Sequence, residues 1–356
     1  ETDRRLNIAG EDLPGSHTAT EFVAWYNGHP DYADHAFDLA QESVAVIGQG
    51  NVAVDVCRIL AKTVDELRHT DIAQHALDAL AGSHIKDIYM IGRRGPAQAK
   101  FTHKEIKELG ELAACDPVVT AQDLVLDPLS QVEFDAAKPT SDLRKNVELL
   151  GEFSRRAPRE GARKLHFVFL RGPFAIEGAN EVSAVQLEAN RLTGTPGNLS
   201  ARGTGETERL TCGLIFRSVG YGGVAMPGVP FDQKAGVIPN VKGRIVEDER
   251  PLPGLYVTGW IKRGPSGLIG TNRPDSVETV GGLLEDVGAM KPAPSRDSRI
   301  LIGRLSERGV RAVTFADWTK IDAVEVARGA GSGKPREKIV QVVEMLDIAG
   351  AKAATN

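Results

Sequence analysis

Apolar and polar residues recur with distinct periods along the chain, and the period changes where secondary structure is expected to change. The apolar run Val44–Ile47 predicts a buried strand. Residues 51–62 then carry apolar side chains on one helical stripe, and a second helix pattern at 71–80 precedes another strand at 85–91. Strand, helix and strand in this order predict a parallel sheet.

Weaker patterns extend this sheet on both sides. The alternation at 182–187 predicts an antiparallel meander over one face. The turn-rich residues 1–43 predict a connector with one short helix at 18–26 and no strand. Further strands are predicted at 165–170, 214–219 and 254–259, and further helices at 104–112, 141–153, 275–287, 299–308 and 315–328.

Length and composition narrow the class of protein. The 356 residues suffice for two domains, and the glycine- and proline-rich run at 220–230 predicts a boundary near residue 224. Hydrophobic residues make up 41% and charged residues 26%, which is typical of a soluble globular protein. The formal net charge of −5 gives no electrostatic reason to bind nucleic acid or an anionic membrane. No apolar run approaches the ~18 residues that a membrane span needs.

Cysteines, histidines and short motifs exclude several chemistries. The three cysteines, Cys57, Cys115 and Cys212, are far apart and odd in number, so a disulfide framework and a zinc knuckle are excluded and a reducing, cytoplasmic compartment is expected. No histidine spacing, GxSxG or HExxH motif predicts a metal site, acyl transfer or zinc hydrolysis. The glycine-rich residues 329–335 lack the spacing of a P-loop.

A GxGxxA turn joins the buried strand to the helix that follows it. Gly48 permits the tight turn, Gly50 lets the backbone approach a pyrophosphate, and Ala53 lets strand and helix pack closely. Free N–H groups and the helix dipole would face the anion. The alternative is an empty glycine turn, but strand, turn and helix agree, and together they predict a dinucleotide site.

Two arginines follow the next strand, where the adenosine ribose of a bound dinucleotide normally lies. An acidic residue there accepts from the 2′-hydroxyl of NAD, whereas an arginine meets the 2′-phosphate of NADP. Arg93 and Arg94 with no acid beside them therefore favour NADP. A solvated basic turn is the alternative interpretation.

Two further segments carry candidate chemistry. Residues 258–272 contain a strand end, a glycine-rich loop and a helix start, so N–H groups of residues 267–269 would face an electron-rich carbonyl oxygen; a loop around a buried Trp260 explains the pattern equally well. Residues 138–171 carry nine basic and four acidic side chains, a local excess of five. Such a stretch either steers an acidic partner or is a solvated face.

In order and spacing, these motifs resemble the adrenodoxin reductase family, whose bacterial members are ferredoxin-NADP+ reductases of the glutathione-reductase-like flavoprotein type. The shared segments are LNIAGEDLPGS, VIGQGNVAVDVCRIL, IGRRGPAQAKFT, FRSVGY, GWIKRGPSGLIGTN and GKPREK. The resemblance implies FAD and NADP as cofactors, hydride transfer from NADPH to FAD, and then transfer of single electrons to a ferredoxin-type iron-sulfur protein.

The resemblance also implies site residues. Asp55 matches a carboxylate that relays protons, with a purely structural role at the helix start as the alternative. The basic stretch would dock the acidic ferredoxin, through Arg144, Lys145, Arg155, Arg156, Arg159, Arg163 and Lys164. The implied NADP contacts are Arg4, Gly48, Gln49, Gly50, Asn51, Val52, Arg93, Arg94 and Glu105, and the implied flavin contacts are Trp260, Gly267, Leu268 and Ile269.

The implied fold is α/β. Residues 1–224 would form a Rossmann-like NADP-binding domain, with a parallel sheet, an antiparallel meander and a leading connector, and residues 225–356 the C-terminal portion of an FAD-binding domain. The family's N-terminal FAD-binding motif is not found, and the first methionine is Met90, as expected of a fragment that binds flavin weakly or not at all. The alternatives are an NADP-binding module without flavin and a flavin-free dehydrogenase, whose acid-base groups we do not find.

Overall fold

A computed structural model describes residues 2–264, 269–291, 297, 299–310 and 312–350. Its strands are β1 (Thr2–Asp3), β2 (Ser16–Thr18), β3 (Ser43–Ile47), β4 (Asp87–Ile91), β5 (Cys115–Val118), β6 (Arg163–Val168), β7 (Arg171–Glu177), β8 (Ala184–Thr195), β9 (Asn198–Thr211), β10 (Leu214–Arg217), β11 (Tyr221–Gly222), β12 (Asn240–Val241), β13 (Arg244–Glu247) and β14 (Arg250–Tyr256). Its helices are α1 (Ala19–Tyr26), α2 (Asn51–Ala61), α3 (Val64–Leu67), α4 (Gln74–Ala81), α5 (His103–Leu109), α6 (Pro128–Ala136), α7 (Asp142–Phe153), α8 (Trp260–Arg263), α9 (Asn272–Asp286), α10 (Arg299–Glu307), α11 (Phe315–Ser332) and α12 (Val342–Ile348).

Packing divides the chain into two units. The larger unit contains Leu6–Ser218 and the described part of residues 313–356, and the smaller unit contains the described part of residues 1–5 and 219–312. The helices after residue 312 therefore group with the larger unit, whereas the sequence-based division at residue 224 placed them in the second domain. Their attachment depends on buried side chains: the Lys334 ammonium donates to the carbonyl of Ile72 at 3.0 Å.

A parallel sheet forms the centre of the larger unit. Its six strands lie in the order β2-β10-β3-β4-β6-β5, and every neighbouring pair is parallel. Apolar residues of β3, β4 and β6 are fully buried against the helices, among them Val46, Met90 and Phe167. The predicted α/β class is confirmed, as is the predicted meander, which consists of β7, β8 and β9 in antiparallel order.

The turn-rich start of the chain is more than a connector, contrary to expectation. Strand β2 pairs in parallel with β10, and α1 buries Phe22 and Trp25 in the core of the larger unit. A capping box begins α1, because the Thr18 hydroxyl accepts from the N–H of Glu21 and the Glu21 carboxylate accepts from the N–H of Thr18. A three-residue strand is too short to show a period, which explains why the sequence pattern does not reveal it.

The smaller unit is built from short antiparallel strands and helices. Strands β1 and β11 pair with each other, and β12, β13 and β14 form a three-stranded sheet. Ile238, Ile245 and Val257 form its small buried core. Helices α8, α9 and α10 belong to this unit. No helix in the described ranges of either unit is long and apolar enough to cross a bilayer.

Candidate functional site

The glycine turn after β3 is closed on one side and open on the other. Gly48 has a φ of +139°, and a Cβ there would lie 2.1 Å from the carbonyl oxygen of Ser218, so only glycine fits. A Cβ on Gly50 would meet nothing within 4 Å. The space over Gly50 is therefore available to a ligand, as the sequence predicts for a backbone that approaches a pyrophosphate.

Helix α2 begins at this opening without a side-chain cap. Gly50 occupies the N-cap position and no acidic residue lies in the first turn. The first N–H groups of α2 and the positive end of its dipole are thus left for an anion. An open glycine cradle and an uncapped helix start are what a dinucleotide pyrophosphate requires, so the residues present fit this part of NADP.

The side chains of Gln49 and Asn51 hold the turn in place. The Gln49 amide donates to the carbonyl of Val168 at 3.0 Å, and the Asn51 side-chain oxygen accepts from the N–H of Thr102 at 2.8 Å. A Cβ on Gly92 would lie 1.9 Å from the Gln49 side-chain oxygen, which explains this glycine. Any contact of residues 49–52 with NADP would therefore depend mainly on their backbone.

Arg93 and Arg94 lie at the carboxyl end of β4 with unpaired guanidinium groups. Arg93 is exposed and Arg94 half-buried, and within the described ranges neither guanidinium has a hydrogen bond or ion pair. Partial burial lowers the pKa of Arg94, and the like charge of Arg93 lowers it further. The carboxylate of Glu133 raises this pKa by a smaller amount, and it forms no ion pair with either arginine. Two neighbouring cations without an ion-pair partner in the described ranges form a site for an anion.

Asp55 and Glu105 share one arginine. Arg58 of α2 pairs with Asp55 at 2.6 Å, with Glu105 of α5, and with Glu108 at 3.4 Å. Burial raises the pKa of Asp55, and the carboxylates of Glu105 and Glu108 add to this, against the attraction of Arg58. The structure thus brings two predicted site residues, Asp55 and Glu105, together around Arg58. The sequence did not reveal the role of Arg58, because its partners lie up to 50 residues away along the chain.

The predicted flavin contact Trp260 lies in the smaller unit. Gly259, with a φ of +84°, occupies the N-cap position of α8, and the Trp260 ring stacks on Tyr221 with centroids 6.1 Å apart. Its indole nitrogen is buried and has no hydrogen-bond partner among the described residues. A cavity of about 200 Å³ opens beside the ring, lined by Tyr221, Gly222, Gly223, Val224, Met226, Trp260 and Ile261.

This cavity fits one part of a flavin. Its apolar wall suits the flat face of such a ring, and the indole N–H, which has no partner among the described residues, suits a polar atom on the edge of that ring. Cofactor pockets usually reach ~300–1,000 Å³, so the described residues enclose only a portion of the site. Gly267 and Leu268 lie outside the described residues, and the backbone of Ile269 begins a short 3-10 turn. Arg4 belongs to the same unit and donates to the carbonyl of Tyr221 at 3.0 Å.

A buried ion pair fixes the turn that carries Trp260. Lys262 and Asp275 lie 3.0 Å apart with side chains 5% and 8% exposed, and the second Asp275 oxygen accepts from the N–H of Gly259 at 2.5 Å. Burial alone would raise the pKa of Asp275, but the Gly259 N–H and the Lys262 ammonium outweigh it and lower the pKa. Sequence reasoning missed Asp275 as a partner of this turn.

A parallel sheet with an open glycine turn, and with two arginines after the next strand that lack partners in the described ranges, defines a dinucleotide-binding fold of the Rossmann type. A scan against models of protein families finds no match. The NADPH-ferredoxin reductase FprA of Mycobacterium tuberculosis (strain ATCC 25618 / H37Rv) is 42% identical over 355 residues, which cover 98% of this chain and 76% of FprA.

Two further comparisons agree. The mitochondrial NADPH:adrenodoxin oxidoreductase of Arabidopsis thaliana is 44% identical over 97% of this chain and 74% of its own length. The solved structure of Mycobacterium tuberculosis FprA in complex with NADPH superposes with a TM-score of 0.90 at 42% identity, over 98% of this chain and 76% of that one. The chain belongs to the NADPH-ferredoxin and adrenodoxin reductase family, FAD-dependent oxidoreductases that transfer electrons from NADPH to ferredoxins, and the predicted resemblance is confirmed.

Proposed function

We propose that this chain binds NADPH at the glycine turn of the larger unit and acts as an NADPH-ferredoxin oxidoreductase. FprA is named an NADPH-ferredoxin reductase, and the Arabidopsis relative an NADPH:adrenodoxin oxidoreductase. When bound, FAD supplies the hydride acceptor and the means to release electrons singly. The chain's own residues select the nucleotide, hold it and receive the protein partner.

One observation carries the choice of NADPH over NADH: the guanidinium groups of Arg93 and Arg94 lack partners among the described residues. A ribose 2′-phosphate carries the charge and the acceptor oxygens that two arginines require. The open side of Gly50 and the uncapped start of α2 receive the pyrophosphate. Asp55 and Glu105, joined by Arg58, would lie beside the nucleotide, with Asp55 as the proposed proton-relay carboxylate.

Substitution of both arginines tests this assignment. Arg93→Ala with Arg94→Ala removes charge-assisted hydrogen bonds worth ~1.5–3 kcal/mol each, so kcat/KM for NADPH should fall by two orders of magnitude or more while NADH is affected little. The control is Arg304→Ala with Arg308→Ala, two exposed arginines on and just after α10. Equal losses for both nucleotides would refute the role of Arg93 and Arg94 at the 2′-phosphate.

The proposed flavin contacts are Trp260 and the backbone of Gly267, Leu268 and Ile269. The buried indole N–H of Trp260, which has no partner among the described residues, supports its part, because a ligand can supply the acceptor that such a donor needs. Trp260→Phe keeps an aromatic wall and removes this donor. We expect weaker FAD binding in titrations followed by flavin fluorescence, and unchanged affinity would contradict the contact.

The basic stretch divides into internal and available side chains. Arg163 donates to the carbonyls of Leu60, Ala61 and Lys62 at the end of α2, Arg159 pairs with Asp116, Arg144 donates to Phe134, and Arg156 to Gly110. Lys145, Arg155 and Lys164 have no partner of this kind within the described ranges. We propose that these three make the direct contacts with the acidic iron-sulfur partner.

Charge reversal tests the docking proposal. Lys145→Glu with Arg155→Glu should slow ferredoxin reduction at low salt and leave dye reduction by NADPH unchanged, because only the protein partner senses the docking surface. Arg202→Glu with Arg209→Glu on β9 is the control with the same change in net charge. A rate of ferredoxin reduction that does not depend on salt would refute the proposal that docking is electrostatic.

A further inference from the structure

The meander holds the backbone of the arginine loop, which we define as residues 92–94. Three consecutive carbonyl oxygens of this loop each accept one hydrogen bond at 3.0 Å. The N–H of Arg171 donates to the first, the side-chain amide of Asn190 to the second, and the N–H of Leu170 to the third. The loop that carries Arg93 and Arg94 is thus fixed from outside the parallel sheet.

The residues that make these contacts have unusual backbone geometry. Leu170 has a φ of +52°, in the left-handed region that non-glycine residues rarely adopt. Its carbonyl accepts from the N–H of Asn190 at 2.8 Å, and the pairing of β8 with β9 shifts register between Glu188 and Asn190. A register shift of this kind changes the direction of a neighbouring side chain, here that of Asn190. A strained backbone conformation such as that of Leu170 persists where the surrounding contacts hold it in place.

Asn190 is the one residue of the three whose contact a substitution can remove, since the other two donors are backbone N–H groups. Its amide donates to the carbonyl of Arg93 itself, so the contact fixes the residue from which an exposed guanidinium projects. A Cβ on Gly172 would lie 3.0 Å from the Asn190 amide nitrogen. The Asn190 side chain therefore packs closely over Gly172, where a larger residue would displace it.

We infer that Asn190 is a positioning residue for nucleotide specificity: by holding the Arg93 carbonyl it directs the arginine loop toward the 2′-phosphate of NADP(H). The inference rests on the proposed function, because it takes Arg93 and Arg94 as the phosphate ligands. An unfixed loop would still carry two positive charges, but the two guanidinium groups would have to be ordered when the nucleotide binds, and affinity would fall.

Binding of nucleotide fragments tests the inference without any need for flavin. We would titrate the chain with 2′,5′-ADP, which has the 2′-phosphate, and with 5′-AMP, which lacks it, by isothermal calorimetry. Asn190→Ala and Asn190→Leu, which has a similar shape but neither a donor nor a charge, should each weaken 2′,5′-ADP about three- to tenfold and leave 5′-AMP within about twofold. Thermal unfolding of each variant is measured beside the titration.

A comparison variant separates loop positioning from hairpin stability. Thr204→Ala removes a hydrogen bond of 2.9 Å to the carbonyl of Ala189 in the same hairpin, and we expect it to leave the preference for 2′,5′-ADP intact. An equal loss of preference in this variant would assign the effect to hairpin stability and overturn the inference.

The arginine variants distinguish the inference from the proposed function. If Arg93→Ala with Arg94→Ala abolishes the preference for 2′,5′-ADP while both Asn190 variants keep it, the inference is wrong and the proposed function stands. If the arginine variants keep the preference, both are wrong.

Discussion

Breaking the buried ion pair between Glu11 and Arg217 is expected to destabilise the larger unit. The two side chains lie 2.7 Å apart and are 2% and 9% exposed. Glu11 also accepts from the N–H groups of Leu6 and Asn7 at 2.7 and 2.8 Å. Glu11→Gln keeps the shape but leaves the Arg217 charge buried without its counter-charge, and loss of one partner of such a pair typically costs ~3–5 kcal/mol.

The measurement is urea unfolding of the whole chain followed by fluorescence, since Trp25 is 3% exposed in the core of the larger unit. The control is Glu177→Gln, which removes a partner of Arg209 from an equally short pair of 2.7 Å whose side chains are 38% and 47% exposed. An exposed pair contributes less than ~1 kcal/mol. Equal losses of unfolding free energy in the two variants would refute the argument from burial.

The effect of Glu11→Gln should depend on pH. Burial alone would raise the pKa of Glu11, but the N–H of Leu6, the Arg217 guanidinium and the N–H of Asn7 outweigh it and lower the pKa below the ordinary value of 4.5. A lowered folded-state pKa means that the stabilisation is complete above about pH 4.5 and is lost as the pH falls through the folded-state value. A difference between wild type and variant that is the same at pH 3 as at pH 7 would contradict this linkage.

Three further substitutions test the site. Gly92→Ala forces the Gln49 side chain away from the carboxyl ends of β4 and β6, and calorimetry should show NADPH binding weakened about fivefold or more. Lys262→Met removes one of the two cations that pair with the buried Asp275 carboxylate and leaves Arg263 at 3.2 Å, so urea should unfold the smaller unit at lower concentration and indole emission should shift. Asp55→Asn should abolish one limb of the pH profile of kcat if Asp55 relays a proton, whereas an unchanged profile means a structural role.

The centre of the fold was predictable because long buried strands and amphipathic helices have a clear period. Val44–Ile47, the helix from residue 51 and the strand before Arg93 lie where expected. The short strands β2 and β5, of three and four residues, were not predicted, because so few residues show no period. Helix α6 was missed although Asp127 caps it and Pro128 begins it, a start signal that the sequence does contain.

The chemistry of the site was predictable where the ligand itself imposes the pattern. The glycine turn and the arginine pair follow from what a phosphate needs, and both motifs are contiguous. The residues that hold these motifs are not contiguous with them: Gln49 reaches a carbonyl 119 residues away, and Asn190 one that is 97 residues away. A single sequence shows residue types near a ligand, but side-chain contacts to distant carbonyls are set by the tertiary fold.

The basic stretch illustrates the limit of counting charges. An arginine such as Arg163, which donates to the carbonyls at the end of α2, keeps its positive charge, and that charge still contributes to the field an approaching ferredoxin senses. The Arg163 guanidinium already donates within the protein, however, so it offers little for a direct contact with the partner. Arg159 also has an internal partner, because it forms an ion pair with Asp116. The salt dependence of the association rate should therefore reflect all the positive charges of the stretch. The affinity of the complex should fall on charge reversal at only a few positions, Lys145 and Arg155 among them.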